Sequence, residues 1–312
     1  MIPITNLSLA SSLERFISYK SAQVSQKTCD LMETRINAFI SYMSSTTCGE
    51  DDIFTITNIL PRHITGFMSY QKNVRNNSSA TIECHFRAVK AFFEYLIKVE
   101  KIVSADNNPC ETIKPPKIIS KSLVTLSVSE VEEMTTHVVN MKPSHNNLMM
   151  GKLFELLLTT ALRIDEALSL RANNYYPSTT EDKSSYIEFI GKGNKLGRVY
   201  LNDKAERIIG ELVKLSSGSD NGKEHLLFYN SAFNKFDYSY VNKWFKKLFV
   251  DMGRDDMTIH CLRATVATIL CKKVGLVVAS KVLRHSSTST TQRYVTVDED
   301  EKVSAMNLLN LL

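Results

Sequence analysis

The sequence lacks the short signatures that often assign a function directly. Its six cysteines include no C-x-x-C pair, so neither a zinc ribbon nor a disulfide framework is indicated. No apolar run reaches the ~20 residues needed to span a bilayer, and no basic segment precedes an apolar one at the start of the chain. No glycine-rich nucleotide loop and no cluster of metal ligands is apparent in the sequence. We therefore expect a cytoplasmic protein that does not act at a membrane and uses no cofactor.

The bulk composition is compatible with many functions. A chain of 312 residues is long for one core and suits two domains of typical size. A hydrophobic content of 43% and a charged content of 23% are ordinary for a soluble globular protein. The net charge of +5 permits a polyanionic partner but does not require one.

A polar, basic and proline-bearing segment divides the chain. Residues 107–123 include Pro109 and the pair Pro115 and Pro116, which resist helix formation and favour extended structure. Directly after this segment, Ser127 and Glu130 have the spacing of a helix-capping box, which predicts a new helix. We therefore predict a first domain over residues 1–106, a linker over 107–123 and a second domain over 124–312.

The first domain has helical periodicity throughout. Apolar residues recur at spacings of three and four in residues 8–20, 26–43, 57–72 and 79–100, which predicts a small bundle of four helices. Basic residues on the third and fourth helices either contact phosphates or form a solvated helix face, and the sequence does not separate these two interpretations. These residues are Lys72, Arg75, Arg87 and Lys90.

The second domain is predicted to be mostly helical, with one β-hairpin. Residues 186–190 and 198–201 favour strands, and the glycine-rich residues 191–197 between them favour a turn. This pattern predicts that Lys192 and Lys195 lie on a mobile loop. A helix over residues 238–252 has an apolar side and a basic side, and its lysines are candidates for contact with DNA phosphates or bases. The basic side carries Lys243, Lys246 and Lys247.

A set of cationic and histidine side chains in the second domain precedes a single tyrosine. Cations of this kind stabilise the added negative charge of a five-coordinate phosphorus, and a tyrosine hydroxyl is a nucleophile that stays attached to one product. The pattern therefore suits attack by a phenol on a phosphodiester. In chain order the residues are Arg163, Lys192, His260, Arg263, His285 and Tyr294.

The motifs around these residues resemble the tyrosine recombinase (phage integrase) family. They are the segments 160–170, 191–195, 260–263, 283–287 and 290–294, which have the family's order and spacing. The resemblance implies a mainly α fold: a helical, SAM-like core-binding domain, then a mixed, mostly α catalytic domain with a small β-sheet. Together the two domains would form a C-shaped clamp around DNA.

The resemblance also implies a role for each cation. Arg163 and Arg263 would hold the scissile phosphate with their planar guanidinium forks. His260 would hydrogen-bond this phosphate or move the proton of the attacking phenol. Lys192 would protonate the departing 5′ oxygen, and Lys195 is the second candidate for that role.

The remaining site residues surround the nucleophile. Tyr294 would attack the phosphorus and form a 3′-phosphotyrosyl intermediate; a free tyrosine has a pKa of ~10 and needs neighbouring groups to become reactive. His285 would donate a hydrogen bond to the phosphate or support the tyrosine. Glu166 would orient active-site side chains or form a simple helix ion pair. No ATP or metal is required, because the covalent bond conserves the phosphodiester energy.

The family's assembly implies partners for this chain. Four protomers would act on two double-stranded DNA sites with inverted repeats and pass through a Holliday junction, and a partner recombinase or accessory protein is unknown. The apolar tail at about residues 298–312 would dock on a neighbouring protomer or pack on its own domain. Helices that start close to Met1 leave no room for an arm-binding domain, so the resemblance implies a compact Xer-like or mobile-element enzyme.

Three departures and three alternatives qualify the family resemblance. Ala161 and Arg284 stand where the family usually has glycine, and Cys261 is an unusual neighbour of His260. A type IB topoisomerase shares the chemistry without strand exchange between partners. A noncatalytic DNA-binding protein of the same fold is the second alternative, and a metal hydrolase built on His260, Cys261 and His285 is the weakest, because ligand spacing is absent.

Overall fold

The computed structural model describes seven stretches of the chain, and the hairpin turn with Lys192 and the predicted tail lie outside them. The described residues are 8–46, 56–118, 123–178, 184–191, 195–217, 225–285 and 287–295. The chain divides into two compact units, Met1–Lys121 and Ser122–Leu312. In the described part of the chain, no helix combines the length and apolar character that crossing a membrane requires.

The described residues of the first unit include four α-helices, as the periodicity predicts. Serine hydroxyls cap two of them: Ser8 accepts from the backbone N–H of Ser11, and Ser78 accepts from that of Thr81. The third helix begins later than predicted, because residues 56–58 form a 3₁₀ turn before a proline starts the α-helix. The helices are α1 (Leu9–Ser21), α2 (Gln26–Thr46), α3 (Pro61–Asn73) and α4 (Ser79–Lys98).

Aromatic side chains fill the core of the first unit. Phe16 packs edge to face on Phe92, and Phe39 packs in the same way on Phe67 and Phe93. The segment after α4 adds to this core. Within it, Cys110 is fully buried and Ile113 packs against the cluster, so the polar stretch that begins at residue 107 is partly anchored to the helices.

The second unit is also mostly helical. The predicted capping box is present: the Ser127 hydroxyl accepts from the backbone of Glu130, and the Glu130 carboxylate accepts from the backbone of Ser127. Its helices are α5 (Val128–Val139), α6 (His145–Thr160), α7 (Ile164–Leu168), α8 (Asp203–Ser217), α9 (Tyr238–Asp251), α10 (Ile259–Val282) and α11 (Thr288–Gln292). Helix α10 bends at Gly275, which has a positive φ of 76°.

The described strands form a three-stranded antiparallel sheet in the order β1-β2-β3. The strands are β1 (Tyr175–Tyr176), β2 (Tyr186–Gly191) and β3 (Lys195–Tyr200). The predicted hairpin is confirmed, but its strands are longer than expected. Lys195 is the first residue of β3 and pairs with Gly191, so its predicted place on a mobile loop is wrong. Strand pairing continues to Gly191 and Lys195, although the glycine-rich sequence of this segment predicts a longer turn.

Candidate active site

A left-handed residue ends helix α6 and positions the first arginine. Ala161 has φ 51° and ψ 30°, and its N–H closes the helix on the carbonyl of Leu157. Its side chain is only 1% exposed. The reversal of the chain at Ala161 places Arg163 at the N-cap of α7, where 39% of its side chain remains exposed. Arg163 can therefore still meet a ligand.

Arg263 is the buried arginine of the site. Only 7% of the residue is exposed, and its guanidinium donates to the backbone carbonyls of Ala161 and Leu283. Burial, together with the nearby charges of Arg163 and Arg284, lowers its pKa to about 10, against a smaller opposing effect of Glu166. Arg263 is therefore still cationic at neutral pH. Its side chain also connects helix α10 to the turn at Ala161 and to the turn at Leu283.

Glu166 is the carboxylate that two arginines share. Its Oε1 accepts from Arg163 Nη1 at 2.8 Å, and its Oε2 accepts from the Arg163 backbone at 2.9 Å and from Arg284 Nη2 at 3.1 Å. Burial opposes its ionisation, but the two hydrogen bonds from Arg163 and the charge of Arg284 outweigh burial and lower its pKa. Glu166 therefore accepts from both Arg163 and Arg284, and its partners extend beyond a helix ion pair.

Arg284 is a third arginine in this cluster. It adopts a left-handed backbone with φ 55°, and its guanidinium lies 5.2 Å from the centre of the Phe189 ring. Burial lowers its pKa, against the opposing effect of Glu166. We call Arg163, Arg263, Arg284 and Glu166 the arginine cluster. Its three cations and single anion leave two positive charges in excess, which suits a phosphate group.

His285 and Tyr294 lie side by side. Their rings are nearly parallel, with centroids 6.2 Å apart and an angle of 22° between planes. His285 Nδ1 is 2.7 Å from the hydroxyl of Thr291, and Tyr294 packs against the small apolar cluster of Ala161, Ala267 and Leu283. Burial lowers the pKa of His285 to about 4, and the three arginines contribute to this shift. The imidazole is therefore uncharged at neutral pH.

The structure brings together most of the predicted site. The charges of Arg163 and Arg263 both lower the pKa of His285, and Tyr294 raises the pKa of Arg263. His260 is exposed in the first turn of α10, and the described contacts do not join it to the cluster. Lys195 is exposed at the start of β3.

The predicted DNA-contacting residues lie on helix surfaces in each unit. In the first unit, Arg87 is paired with Glu83 on its own helix, whereas Lys90 is half-buried. Lys72, near the end of α3, and Arg75 are exposed. In the second unit, the predicted basic side of α9 is confirmed as exposed, opposite a buried apolar side. It carries Lys243, Lys246 and Lys247, of which Lys246 donates to the carbonyl of Asp255.

Sequence reasoning missed three contributors to the site. In the sequence, Arg284 is only a departure from the family's usual glycine, and no motif includes Phe189 or indicates a role for Thr291. A signal existed for Arg284, because a non-glycine residue at a position that usually holds glycine indicates a left-handed backbone with a new side chain. Phe189 and Thr291 carry no such signal, since an aromatic residue in a strand and a threonine in a helix are common. Among the described residues, no group of three or more potential ligands could hold a metal ion.

The chain is similar in sequence to a known protein family and to named proteins from several bacteria. Residues 125–301 match the phage integrase family. A tyrosine recombinase XerD from Oceanobacillus iheyensis is 29% identical over 279 residues, which cover 88% of this chain and 89% of the relative. A tyrosine recombinase from Pseudothermotoga lettingae is 30% identical over 248 residues, which cover 78% of each chain.

Two groups of solved structures share the fold. The XerH site-specific recombinase bound to its difH substrate, before cleavage, has a TM-score of 0.74 at 20% identity, with 98% of both chains covered. The Tn1549 transposon integrase in complex with circular intermediate DNA has a TM-score of 0.73 at 15% identity, with 96% of this chain and 99% of that chain covered.

Proposed function

The chain belongs to the phage integrase family, and we propose that it is a site-specific recombinase that cleaves and rejoins double-stranded DNA through Tyr294. It is a tyrosine recombinase of the Xer-like or mobile-element type. The observation that carries the proposal is the position of Tyr294: its ring lies beside that of His285 and packs against Ala161 and Leu283, whose carbonyls accept from Arg263. The XerH and Tn1549 structures, which contain DNA, support a DNA substrate.

The arginine cluster would bind the scissile phosphate. A phosphodiester carries one negative charge, and the five-coordinate transition state carries about two. The two excess positive charges of the cluster therefore match the transition state better than the substrate. Arg163 and Arg263 would present N–H donors to the nonbridging oxygens. Stabilisation is thus greater in the transition state than in the ground state, which is the condition for catalysis.

The proton on His285 can be assigned from its hydrogen bond. If the Thr291 hydroxyl donates to Nδ1, the neutral imidazole carries its proton on Nε2 and can donate to a phosphate oxygen. We assign this tautomer. An uncharged His285 adds no further cation to a site that already has an excess of positive charge.

The cleavage step then balances as one bond exchanged for another. The Tyr294 oxygen bonds to phosphorus, and the phenol proton passes to His260. The side chain of His260 is exposed and has no hydrogen-bond partner among the described residues. The bond from phosphorus to the 5′ oxygen breaks, and that oxygen takes a proton from Lys192, with Lys195 as the second candidate. The products are a 3′-phosphotyrosyl bond and a 5′ hydroxyl, and no metal ion or ATP takes part.

Strand exchange follows from the same chemistry in reverse. A 5′ hydroxyl from a second duplex attacks the phosphotyrosine and releases Tyr294. We propose that four protomers act on two DNA sites with inverted repeats and pass through a Holliday junction, with the C-terminal tail linking neighbours. Exposed basic residues of α3, α4 and α9 would contact DNA phosphates and bases, and the phosphate contacts make binding weaken with salt.

The test is capture of the covalent intermediate. The protein is incubated with a duplex that carries the inverted repeats flanking its gene and a nick close to the cleavage position. Cleavage then releases a short strand fragment with the 5′ hydroxyl, and loss of this fragment prevents religation. A denaturant-resistant protein–DNA adduct is expected, and Tyr294→Phe should abolish it while DNA binding is retained. An adduct that persists in Tyr294→Phe would refute the nucleophile assignment.

A plasmid assay separates recombination from simple relaxation. Two sites on one supercoiled plasmid should give recombinant products that require both sites. Relaxation of a plasmid without any site, and without recombinants, would instead indicate a topoisomerase. Binding without any adduct would indicate a noncatalytic DNA-binding protein.

A further inference from the structure

Arg284 occupies a backbone conformation that disfavours a side chain. Its φ of 55° lies in the left-handed region, where glycine is accommodated without a steric penalty and other residues are not. The side chain is nevertheless largely buried, with 16% of its surface exposed. Residues held in such conformations persist where the surrounding contacts determine them, and they concentrate at functional sites.

The Arg284 guanidinium contacts three separate elements. Its Nη2 donates to Glu166 Oε2 in α7 at 3.1 Å, and its Nη1 donates to the carbonyl of Val282 in α10 at 3.2 Å. Its Cζ stands over the ring of Phe189 in β2. One side chain therefore connects the hairpin, the arginine helix α7 and the segment that continues to His285.

The contact with Glu166 determines how that carboxylate faces Arg163. Oε2 is occupied by Arg284 and by the backbone N–H of Arg163, which leaves Oε1 for the Arg163 guanidinium. Without Arg284, Oε2 keeps only its bond from the Arg163 backbone N–H, so the carboxylate can rotate and offer Oε2 to the Arg163 side chain as well. The fork of Arg163 would then be held by Glu166 rather than presented to a phosphate.

The hairpin side of the contact is tightly packed. A methyl group added at Gly197 would lie 2.7 Å from a ring atom of Phe189, so this ring has no room to move toward β3. A methyl group added at Gly191 would lie 3.8 Å from Glu166 Oε1, which places the end of β2 beside the carboxylate. Lys192 follows Gly191 directly in the chain.

We propose that Arg284 is a positioning residue for DNA cleavage, which fixes Glu166 between Arg163 and the end of strand β2 and so aligns the arginine pair with the strand that precedes Lys192. This role rests on the proposed recombinase function. It assigns to Arg284 no contact with the reacting atoms, so its effect must pass through Glu166, while the Phe189 ring supports the guanidinium.

Arg284→Ala tests the proposal against a matched control. Arg198 on β3 makes the same two kinds of contact, an ion pair with Glu188 and a position over the ring of Tyr186 at 4.3 Å, but it is half-exposed. At saturating nicked duplex, Arg284→Ala should slow adduct formation on the order of 100-fold, because small displacements of positioned groups have effects of this size. Arg198→Ala should leave the rate within a few-fold of the unsubstituted protein. Equal rates for both variants would overturn the proposal.

A second pair of variants tests the route of the effect. If Arg284 acts through Glu166, the double variant Arg284→Ala, Glu166→Gln should form adduct no more slowly than Glu166→Gln alone. Effects that multiply would show that Arg284 acts independently of Glu166 and would overturn the proposal. Arg284→Gly, which relieves the backbone strain, replaces Arg284→Ala if the latter does not fold.

The titration of Glu166 in the free protein distinguishes failure of the positioning role from failure of the recombinase function. Loss of the Arg284 charge should raise the pKa of the Glu166 carboxyl, followed by NMR, whereas Arg198→Ala should leave it in place. An unchanged Glu166 titration overturns the positioning role even if the protein cleaves DNA. Absence of any adduct from the unsubstituted protein rejects the proposed function, and the titration still decides whether Arg284 holds the carboxylate.

Discussion

The guanidinium of Arg263 donates to the backbone carbonyl of Ala161, a left-handed residue 102 positions earlier in the chain. Its second carbonyl partner, Leu283, directly precedes the other left-handed residue of the site, Arg284. Both turns that meet Arg263 therefore have positive φ. Glycine adopts this conformation without strain, whereas the alanine and the arginine present here do so at a steric cost.

Substitutions at Ala161 should separate backbone strain from side-chain packing. Ala161→Gly relieves about 1–2 kcal/mol of left-handed strain, but it loses about 0.8 kcal/mol of methyl burial and costs about 0.5–1 kcal/mol in chain entropy. We expect a net change within about 1 kcal/mol. Ala161→Val places a β-branched residue in a region it rarely adopts, and should lower the free energy of unfolding by roughly 2 kcal/mol or more. Urea unfolding of both variants measures the difference, and equal stabilities would contradict the assigned turn.

Arg163→Lys should reduce cleavage without unfolding the protein. The side chain is partly exposed, so a lysine can be accommodated, but it cannot form a planar fork to two phosphate oxygens. We expect the rate of adduct formation to fall by about 100-fold, which is typical for loss of one preorganised transition-state donor. Affinity for the duplex should change much less, because the charge is retained. Gel-shift and adduct assays on one DNA substrate compare the two effects, and a parallel loss of binding would assign Arg163 to affinity alone.

Several parts of the site follow from local sequence, and others depend on distant contacts. The capping box at Ser127 and the β2–β3 hairpin were predictable, because cap and turn preferences are set by neighbouring residues. The contacts of Arg284 with Glu166 and Phe189 were not, since 118 residues separate Arg284 from Glu166. A spacing of three on a helix would place His260 on the same side as buried Arg263, yet His260 is exposed.

The titration of His285 should begin far below the usual range. Burial and the three arginines lower its pKa to about 4 in the folded protein, whereas an unfolded histidine has a pKa of about 6.5. Above pH 6.5 both states are uncharged, so His285 adds no pH dependence. As the pH falls from about 6.5 toward 4, the unfolded state binds a proton that the folded state does not, and the free energy of unfolding decreases. An NMR titration should place the His285 midpoint near pH 4, and His285→Gln should flatten the stability curve in this window. A midpoint near 6.5 would contradict the buried, cation-flanked position.

Two glycine-to-alanine variants should have opposite consequences. Gly210 lies in helix α8 with no atom within 4 Å of an added methyl group, so Gly210→Ala should raise the free energy of unfolding by about 0.5–1 kcal/mol through chain entropy alone. Gly197→Ala should displace the Phe189 ring, which lies under the guanidinium of Arg284. We therefore expect Gly197→Ala to slow adduct formation at saturating DNA, and Gly210→Ala to leave it unchanged. If Gly197→Ala cleaves at the normal rate, the packing of Phe189 does not control the alignment of the site, and Arg284 would act through Glu166 alone.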